Sequence, residues 1–164
     1  MVFPAAAAAR AAVEQGGVGK MKARDFLSQL QHDAVIQALR DAEAKMAAEI
    51  RVFISRKEPE DPVAAARHVF VKLGMEKSAA RNGVLLYIAP RVRKFAIIGD
   101  TEVHARCGDE FWREVAHEMS VHFRKSEFTE GILHGIRRAG KLLAEHFPPA
   151  AGAKSHPPRD IAHD

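Results

Sequence analysis

Near its middle the chain reads Asn82-Gly-Val-Leu-Leu-Tyr-Ile-Ala89-Pro-Arg-Val-Arg-Lys94-Phe-Ala-Ile-Ile-Gly-Asp100, two short apolar runs joined by a connection rich in proline and arginine. Both runs carry β-branched and aromatic residues, and the connection is too short for a helix, so the pattern predicts a β-hairpin. Every position from Val84 to Ile88 is apolar, which is typical of a strand covered on both faces. Helices must then lie above and below the sheet, and the fold class is α/β.

The residues before the hairpin predict a crossover unit. Glu49–Ser55 alternates apolar and polar residues, as a strand with one less-buried face does. Asp61-Pro62 has the pattern of a helix start, and Gly74 is placed to end that helix. A strand, a helix and a second strand in this order make the two strands parallel. We therefore expect a small mixed β-sheet whose third strand, the second of the hairpin, is antiparallel.

Three further segments complete the predicted architecture. Ser28 and Gln31 form a capping-box pattern before helically spaced apolar residues, which predicts a helix over residues 28–47. Apolar residues at helical spacing also predict helices from Asp109 and over residues 127–146, whereas residues 101–108 lack a pattern and are expected to be irregular. Helices on both faces of the sheet make a three-layer α/β/α sandwich.

Length and composition indicate one domain. The chain has 164 residues, of which 47% are apolar and 28% charged, enough for one real core and short for two. We place this domain at residues 25–147. Residues 1–24 are rich in alanine and glycine and predict a flexible tail, and residues 148–164 lack periodicity and predict a disordered one.

Charge and cysteine content exclude several classes of protein. The net charge of +4 comes from basic residues dispersed among acidic ones, so we expect no nucleic acid partner. The single cysteine, Cys107, excludes an intramolecular disulfide and fits a reducing compartment. No run approaches the ~20 apolar residues of a membrane span. A cytoplasmic protein is expected, with export through the alanine-rich start of the chain as the alternative.

The predicted topology gathers acidic residues at one end of the sheet. The starts of the first two strands and the end of the third meet there, which brings Glu49, Asn82 and Asp100 together. Glu102 and Asp109 follow within a few residues. Carboxylate and amide oxygens are ligands for hard cations, so these residues form a candidate calcium site.

A structural role for the same acidic residues is the alternative. Arg51 and Arg81 are near enough in sequence to neutralise Glu49 or Asp100. In that case the acids form internal ion pairs and the cleft holds no ligand. Asp109 would then cap its own helix.

The opposite end of the sheet is basic. Arg56 follows the first strand, and Arg91, Arg93 and Lys94 lie in the hairpin connection. These residues predict either a solvated turn or a surface for an anion or an acidic partner.

Several motifs, in this order, resemble the TPM domain family. They are Glu49-Ile-Arg-Val, Arg-Asn82-Gly-Val-Leu-Leu-Tyr-Ile, Arg-Lys-Phe-Ala-Ile-Ile-Gly-Asp100, Phe-Trp112 and Phe128-Thr-Glu-Gly131. The resemblance covers residues 26–147 and points to a soluble bacterial-type member. The family includes a thylakoid-lumen acid phosphatase, a photosystem II repair factor and an auxiliary subunit of a worm acetylcholine receptor. The resemblance implies an α/β/α sandwich, in agreement with the pattern of the residues.

The resemblance also implies a calcium-dependent phosphatase activity. This sequence, however, departs from the residue pattern of the phosphatase-type relatives. Phosphatase-type relatives usually carry an aspartate before the Asn-Gly pair and acidic residues in the hairpin turn, where this chain has Arg81 and Arg91-Val-Arg-Lys94. The expected function is therefore a binding or accessory module without turnover, acting on a protein partner or a phosphorylated small molecule. A calcium-dependent acid phosphatase is the alternative, and no catalytic residue is assigned.

Overall fold

A computed structural model describes residues 9–12, 22–77, 80–149 and 161–164 of the chain. The strands are β1 (Ala9–Ala12), β2 (Glu49–Ile54), β3 (Gly83–Ala89), β4 (Lys94–Gly99) and β5 (Ala162–His163). The helices are α1 (Ala23–Gln29), α2 (His32–Ala44), α3 (Pro62–Lys72), α4 (Thr101–Cys107), α5 (Asp109–Arg124) and α6 (Phe128–His146), with short 3-10 turns at Met75–Lys77 and Pro90–Val92.

The strands form one mixed sheet in the order β1-β4-β3-β2-β5. β2 and β3 are parallel, with Glu49 opposite Gly83 and Ile54 opposite Ile88. β3 and β4 are antiparallel, with Val84 opposite Gly99. These pairings confirm the predicted hairpin, the parallel crossover and the mixed sheet.

Helices cover both faces of the sheet, as predicted for a three-layer α/β/α sandwich. On one face, Ile50, Val84 and Ile97 pack into a core shared with α1, α2, α5 and α6. On the other face, Phe53, Leu85 and Ile98 pack against α3. Because β3 has a helical layer on each side, all its residues are buried, in agreement with its unbroken apolar sequence.

The predicted ends of α3 are confirmed. The Asp61 carboxylate accepts hydrogen bonds from the amides of Val63 and Ala64, and Pro62 occupies the first helical turn. Gly74 follows the C-cap with φ +72°, a conformation in which a side chain would be strained. Local sequence alone therefore places both ends of this helix.

The prediction of a single helix over residues 28–47 is wrong at the start of that range, where the structure has two helices. α1 ends at Gln29 and α2 begins at His32, with Leu30 extended and buried between them. The break is held by tertiary contacts, since the Gln31 amide donates to Oγ1 of Thr129 in α6 (3.1 Å). The Ser28 hydroxyl bonds the Asp25 carbonyl and caps no helix.

Residues 101–107 form α4, so the prediction of an irregular segment is wrong. The Asp100 carboxylate caps this helix by accepting from the Thr101 amide at 2.7 Å. Gly108 has φ +73° and separates α4 from α5. Val103 is buried, and one apolar residue is too little for a helical period to be visible in the sequence.

Parts of both expected tails belong to the sheet. β1 pairs with β4 antiparallel, and β5 pairs with β2 parallel, so residues 9–12 and 161–164 differ from the flexible and disordered tails that we expected. The remaining residues of those tails, apart from 22–24 and 148–149, lie outside the described part of the chain. On the face of β2 expected to be less buried, Glu49 and Arg51 are partly exposed as predicted, whereas Phe53 and Ser55 are buried.

No helix among the described residues is both long and apolar enough to cross a membrane.

Candidate functional site

The predicted convergence at one end of the sheet is present in the backbone. Glu49 begins β2, Asn82 precedes β3 and Asp100 follows β4. The Asp100 amide donates to the Gly83 carbonyl at 2.9 Å, which ties the end of β4 to the start of β3. We call this region the acidic end of the sheet.

Asp100 is the most enclosed acidic residue at the acidic end. Its side chain is fully buried, and Oδ1 accepts from the Thr101 amide and lies 3.6 Å from Nε of Arg81. Within the described residues, its Oδ2 atom is also buried and has no hydrogen-bond partner. Asp100 therefore combines a helix-capping oxygen with a second, buried oxygen to which no described residue donates a hydrogen bond.

Arg81 is positioned by its own backbone and side chain. It has φ +52°, its guanidinium donates to the Glu76 carbonyl, and its carbonyl accepts from the Glu102 amide at 3.1 Å. This places a fixed positive charge next to the buried Asp100 carboxylate.

Asn82 has a structural contact at this end. It is buried, and Nδ2 donates to the Ala47 carbonyl. The Ala47 amide in turn donates to the Phe147 carbonyl at 2.8 Å. Asn82 thus joins the start of β3 to the segment before β2 and to the end of α6.

The other acidic residues predicted for the metal site lie beside arginine or histidine side chains. Glu49 lies 4.0 Å from Arg51, and Glu102 lies 3.5 Å from Arg106 one helical turn later. An oxygen of Asp109 lies 3.1 Å from Nδ1 of His104.

This arrangement does not fit a calcium ion well. Calcium takes about six to eight oxygen ligands. In the described part of the chain, no three His, Cys, Asp or Glu side chains are grouped so that they could hold a metal. Calcium binding therefore stays a prediction, with the buried Oδ2 of Asp100 as its best structural support.

The residues predicted to form an anion or partner surface lie at the opposite, basic end of the sheet. Arg91 pairs with Glu58 at 3.5 Å, and both side chains are about half exposed. Lys94 donates to the Glu60 carbonyl, and Arg93 has φ +54° at the tip of the turn. The backbone amide of Arg56 donates to Oδ1 of Asp164 at 2.6 Å, leaving its exposed guanidinium at the same end.

Ser55 and Asp164 are polar residues that the sequence interpretation did not identify. The buried Ser55 hydroxyl donates to Oδ2 of Asp164 at 2.7 Å and accepts from the Lys57 amide. Burial raises the pKa of Tyr87, a hydrogen bond with Ser55 lowers it, and the Asp164 charge raises it further. The polar alternation of β2 includes Ser55, but no local pattern links it to Asp164, 109 residues away.

A second charged cluster lies between α5 and α6. Glu118 contacts Nε2 of His134 and pairs with Nε of Arg138 at 3.2 Å, and Arg138 also pairs with Glu114 at 3.3 Å. Burial by itself raises the pKa of Glu118, but the hydrogen bond with His134 and the charge of Arg138 bring it below the usual value. These paired charges link α5 to α6, so we interpret the cluster as a network that stabilises the packing of the two helices.

Glu118→Gln is expected to destabilise the protein by about 1 kcal/mol near neutral pH. Because the folded-state pKa of Glu118 is depressed, its stabilisation is present above the unfolded value of 4.5 and is lost as pH falls through the folded value. Urea unfolding near pH 7 and about pH 3 should show the deficit shrinking in acid. Glu110→Gln, an exposed change on the same helix, is the control, and a pH-independent deficit would contradict the ionic explanation.

Cys107 is not an activated nucleophile. Burial raises the pKa of its thiol, and the charge of Arg106 offsets this only in part. A thiol with a raised pKa carries little thiolate near neutral pH, so thiol catalysis at this position is not supported.

A groove of about 760 Å³ runs between α2 and α6. Small residues line its floor, and a Cβ atom on Gly140 would lie 2.9 Å from Cβ of Ala42. Its rim carries charges of both signs, including Asp41, Lys45 and Arg137, so it favours neither an anion nor a cation.

The fold agrees with comparisons to known proteins. The model of the TPM domain family matches residues 21–142. Among solved structures, the chain is similar to the NMR structure of BA42 protein from the psychrophilic bacterium Bizionia argentinensis, with 32% identity and a TM-score of 0.75. That similarity covers 81% of this chain and 92% of BA42. A comparison with curated proteins gave no match.

The chain is thus a single-domain α/β protein, and it belongs to the TPM domain family.

Proposed function

We propose that this chain is a binding or accessory module that acts without turnover. The observation that carries this proposal is the pairing of the acidic end within the chain. Glu49, Glu102 and Asp109 each lie beside a cationic or histidine side chain, and Arg81 stands next to Asp100. Acidic groups already paired in this way have lost much of the negative potential that attracts a divalent cation.

The basic end supports a partner that carries negative charge. Arg56, Arg91, Arg93 and Lys94 lie around the ends of neighbouring strands. The contacts of Arg91 and Lys94 with Glu58 and Glu60 are at the surface, where such interactions contribute little to stability. A partner can therefore replace them at low cost, and an acidic protein segment is the class of partner that fits.

A calcium-dependent phosphatase is the second candidate, favoured by one observation. The Oδ2 atom of Asp100 is buried without a hydrogen-bond partner among the described residues. A buried carboxylate oxygen in this state is costly, and a bound cation would satisfy it. Asp100 and Glu102 would then supply oxygens, with Glu49, Asn82 and Asp109 nearby in the backbone order.

The two candidates differ in their response to calcium. Under the binding-module proposal, millimolar calcium leaves the melting temperature unchanged, and p-nitrophenyl phosphate is not hydrolysed faster than in buffer. The Asp100→Asn, Glu102→Gln double variant is the control, because a calcium ligand set would lose its response in that variant. Calcium-dependent hydrolysis that disappears in the double variant would overturn the proposal and establish the second candidate.

The basic end is tested with a fluorescein-labelled hexaglutamate peptide. Replacing Arg91, Arg93 and Lys94 by glutamine is expected to weaken its binding about tenfold, and binding to the original chain should fall with salt. The matched control makes the same change at the exposed Arg113, Arg124 and Lys125, which removes equal charge elsewhere. Equal losses in both variants would show a general charge effect and contradict a specific surface.

A further inference from the structure

The segment Ile161–Asp164 lies at one edge of the sheet, beside β2. Within the described residues, β5 pairs in parallel with β2 at Phe53 opposite Ala162 and Ile54 opposite His163. Parallel pairing is slightly less stable per residue than antiparallel pairing, and so short a ladder is marginal by itself. Side chains at the two ends of the segment add to this attachment.

Each end of this segment has a specific receiving site. Ile161 is buried in the core that lies between the sheet and α1, α2 and α6. Three residues later, the Asp164 carboxylate accepts from the Ser55 hydroxyl at 2.7 Å and from the Arg56 amide at 2.6 Å. The edge of β2 therefore recognises an apolar residue and an aspartate at fixed spacing.

The receiving groups for the aspartate are held by the body of the protein. Ser55 is fully buried and also accepts from the Lys57 amide, while Tyr87 hydrogen-bonds it from the neighbouring strand. A buried hydroxyl and a backbone amide directed at a carboxylate form a pre-organised anion contact. None of these groups requires that the aspartate belong to the same chain.

We propose that the edge of β2 is a binding site for an extended segment of a partner protein, in which an apolar residue precedes an aspartate by three positions. Residues 161–164 occupy this site as an internal ligand. Addition of a strand to a sheet edge, with main-chain bonds for affinity and side-chain sites for specificity, is an established mode of peptide recognition. The inference rests on the proposed binding function and specifies the partner's sequence pattern.

The basic end extends this pattern. A segment parallel to β2 leaves the sheet at the end where β3 stops and the hairpin turn begins, since Ile54 lies opposite Ile88. Residues that follow the aspartate would therefore approach Arg56, Arg91 and Lys94. Acidic residues after the aspartate complement these charges, so the partner segment is expected to continue as an acidic stretch.

The internal ligand competes with any partner because it is tethered to α6. Short tethers give effective concentrations on the order of millimolar, so a free peptide must exceed this to displace the segment. Asp164→Ala removes the carboxylate contact and so weakens the internal ligand, while Ile161 and the strand pairing remain. A peptide with the original sequence should then bind the variant more tightly than it binds the unchanged chain.

The test uses a fluorescein-labelled peptide of residues 158–164, Pro-Arg-Asp-Ile-Ala-His-Asp, amidated at its end so that only the side-chain carboxylate is read. Fluorescence anisotropy should show saturable binding to the full-length Asp164→Ala variant, about tenfold tighter than to the unchanged protein. The same peptide with asparagine for Asp164, or alanine for Ile161, should bind about tenfold more weakly. Ser55→Ala in the same variant should weaken the original peptide similarly, with near-ultraviolet circular dichroism as the check on folding.

Outcomes of this test separate the edge site from the basic end. The proposal is overturned if the original peptide gives no saturable binding to the Asp164→Ala variant, or if the asparagine peptide binds equally well. The peptide variants decide the question even where Ser55→Ala does not fold. Adding three glutamates to the peptide should improve binding, and the improvement should vanish when Arg91, Arg93 and Lys94 are glutamine. A result in which hexaglutamate binds the basic hairpin turn while the peptide of residues 158–164 does not bind the edge of β2 would support the proposed binding function. The same result would contradict the proposed edge site.

Discussion

Asp100→Ala should lower the free energy of unfolding by about 3 kcal/mol, because two separate interactions end at this carboxylate. The alanine variant loses the cap of α4, in which the carboxylate accepts from the Thr101 amide. It also leaves Arg81, whose side chain is 28% exposed, without the fully buried carboxylate beside it. For a chain of this size, the expected fall in melting temperature is about 10 °C.

Asp100→Asn separates the two contributions. Asparagine is as good an N-cap as aspartate, so this variant keeps the cap and loses only the charge next to Arg81. We expect it to cost about 1 kcal/mol by urea unfolding, since the guanidinium of Arg81 keeps its bond to the Glu76 carbonyl and its partial exposure to water. A loss in the asparagine variant as large as that in the alanine variant would show that the ion pair outweighs the cap.

Phe123→Ala is expected to be the most destabilising single change, at about 4 kcal/mol. The ring is buried at the junction of three elements, 6.4 Å from the ring of Phe26 in α1, 5.3 Å from Phe95 in β4 and 6.3 Å from Phe128 in α6. Truncation leaves a cavity bordered by rigid rings that cannot collapse to fill it. Chemical denaturation should show a lower midpoint with an unchanged slope.

The close contact between Phe123 and Gly131 provides an internal control. A Cβ atom on Gly131 would lie 2.5 Å from Cε1 of Phe123, so Gly131→Ala alone should cost about 2 kcal/mol through overpacking. In the double variant the added methyl group faces the space left by the ring. The double variant should therefore be less destabilised than the sum of the two single changes. An additive result would show that the clash is relieved elsewhere, and it would count against this packing model.

Much of the fold follows from short-range pattern. The unbroken apolar run of β3 indicates burial on both faces, and Asp61, Pro62 and Gly74 mark the ends of α3 by local chemistry. These signals are readable because each depends on residues within a few positions of one another. The family resemblance then agrees with the α/β/α architecture, as does the match to the TPM domain model.

The features that the sequence did not reveal depend on distant residues. The break between α1 and α2 is held by Thr129, at the start of α6. α4 has a single buried apolar residue, Val103, and is stabilised by the Asp100 cap more than by an apolar stripe. Polar sequence alone does not distinguish such a helix from a loop.

The sequence predicted where the candidate site lies better than it predicted which side chains pair with one another there. Sheet topology correctly brings the backbone of Glu49, Asn82 and Asp100 to one end. Which acids pair internally depends on side-chain directions, and the structure places Arg81 rather than a second acid beside Asp100. Sequence had offered both a metal site and internal pairing; the structure shows the pairs, and calcium binding stays a prediction.

The two outermost strands, β1 and β5, come from segments at the extremes of the described chain. Both lie outside the region matched by the family model, residues 21–142. A chain shortened to that region would expose unpaired N–H and C=O groups along β4 and β2. Bare edges of this kind are templates for aggregation. The two outermost strands therefore protect the edges of the sheet, and for residues 161–164 this protection is separate from the packing of Ile161 in the core.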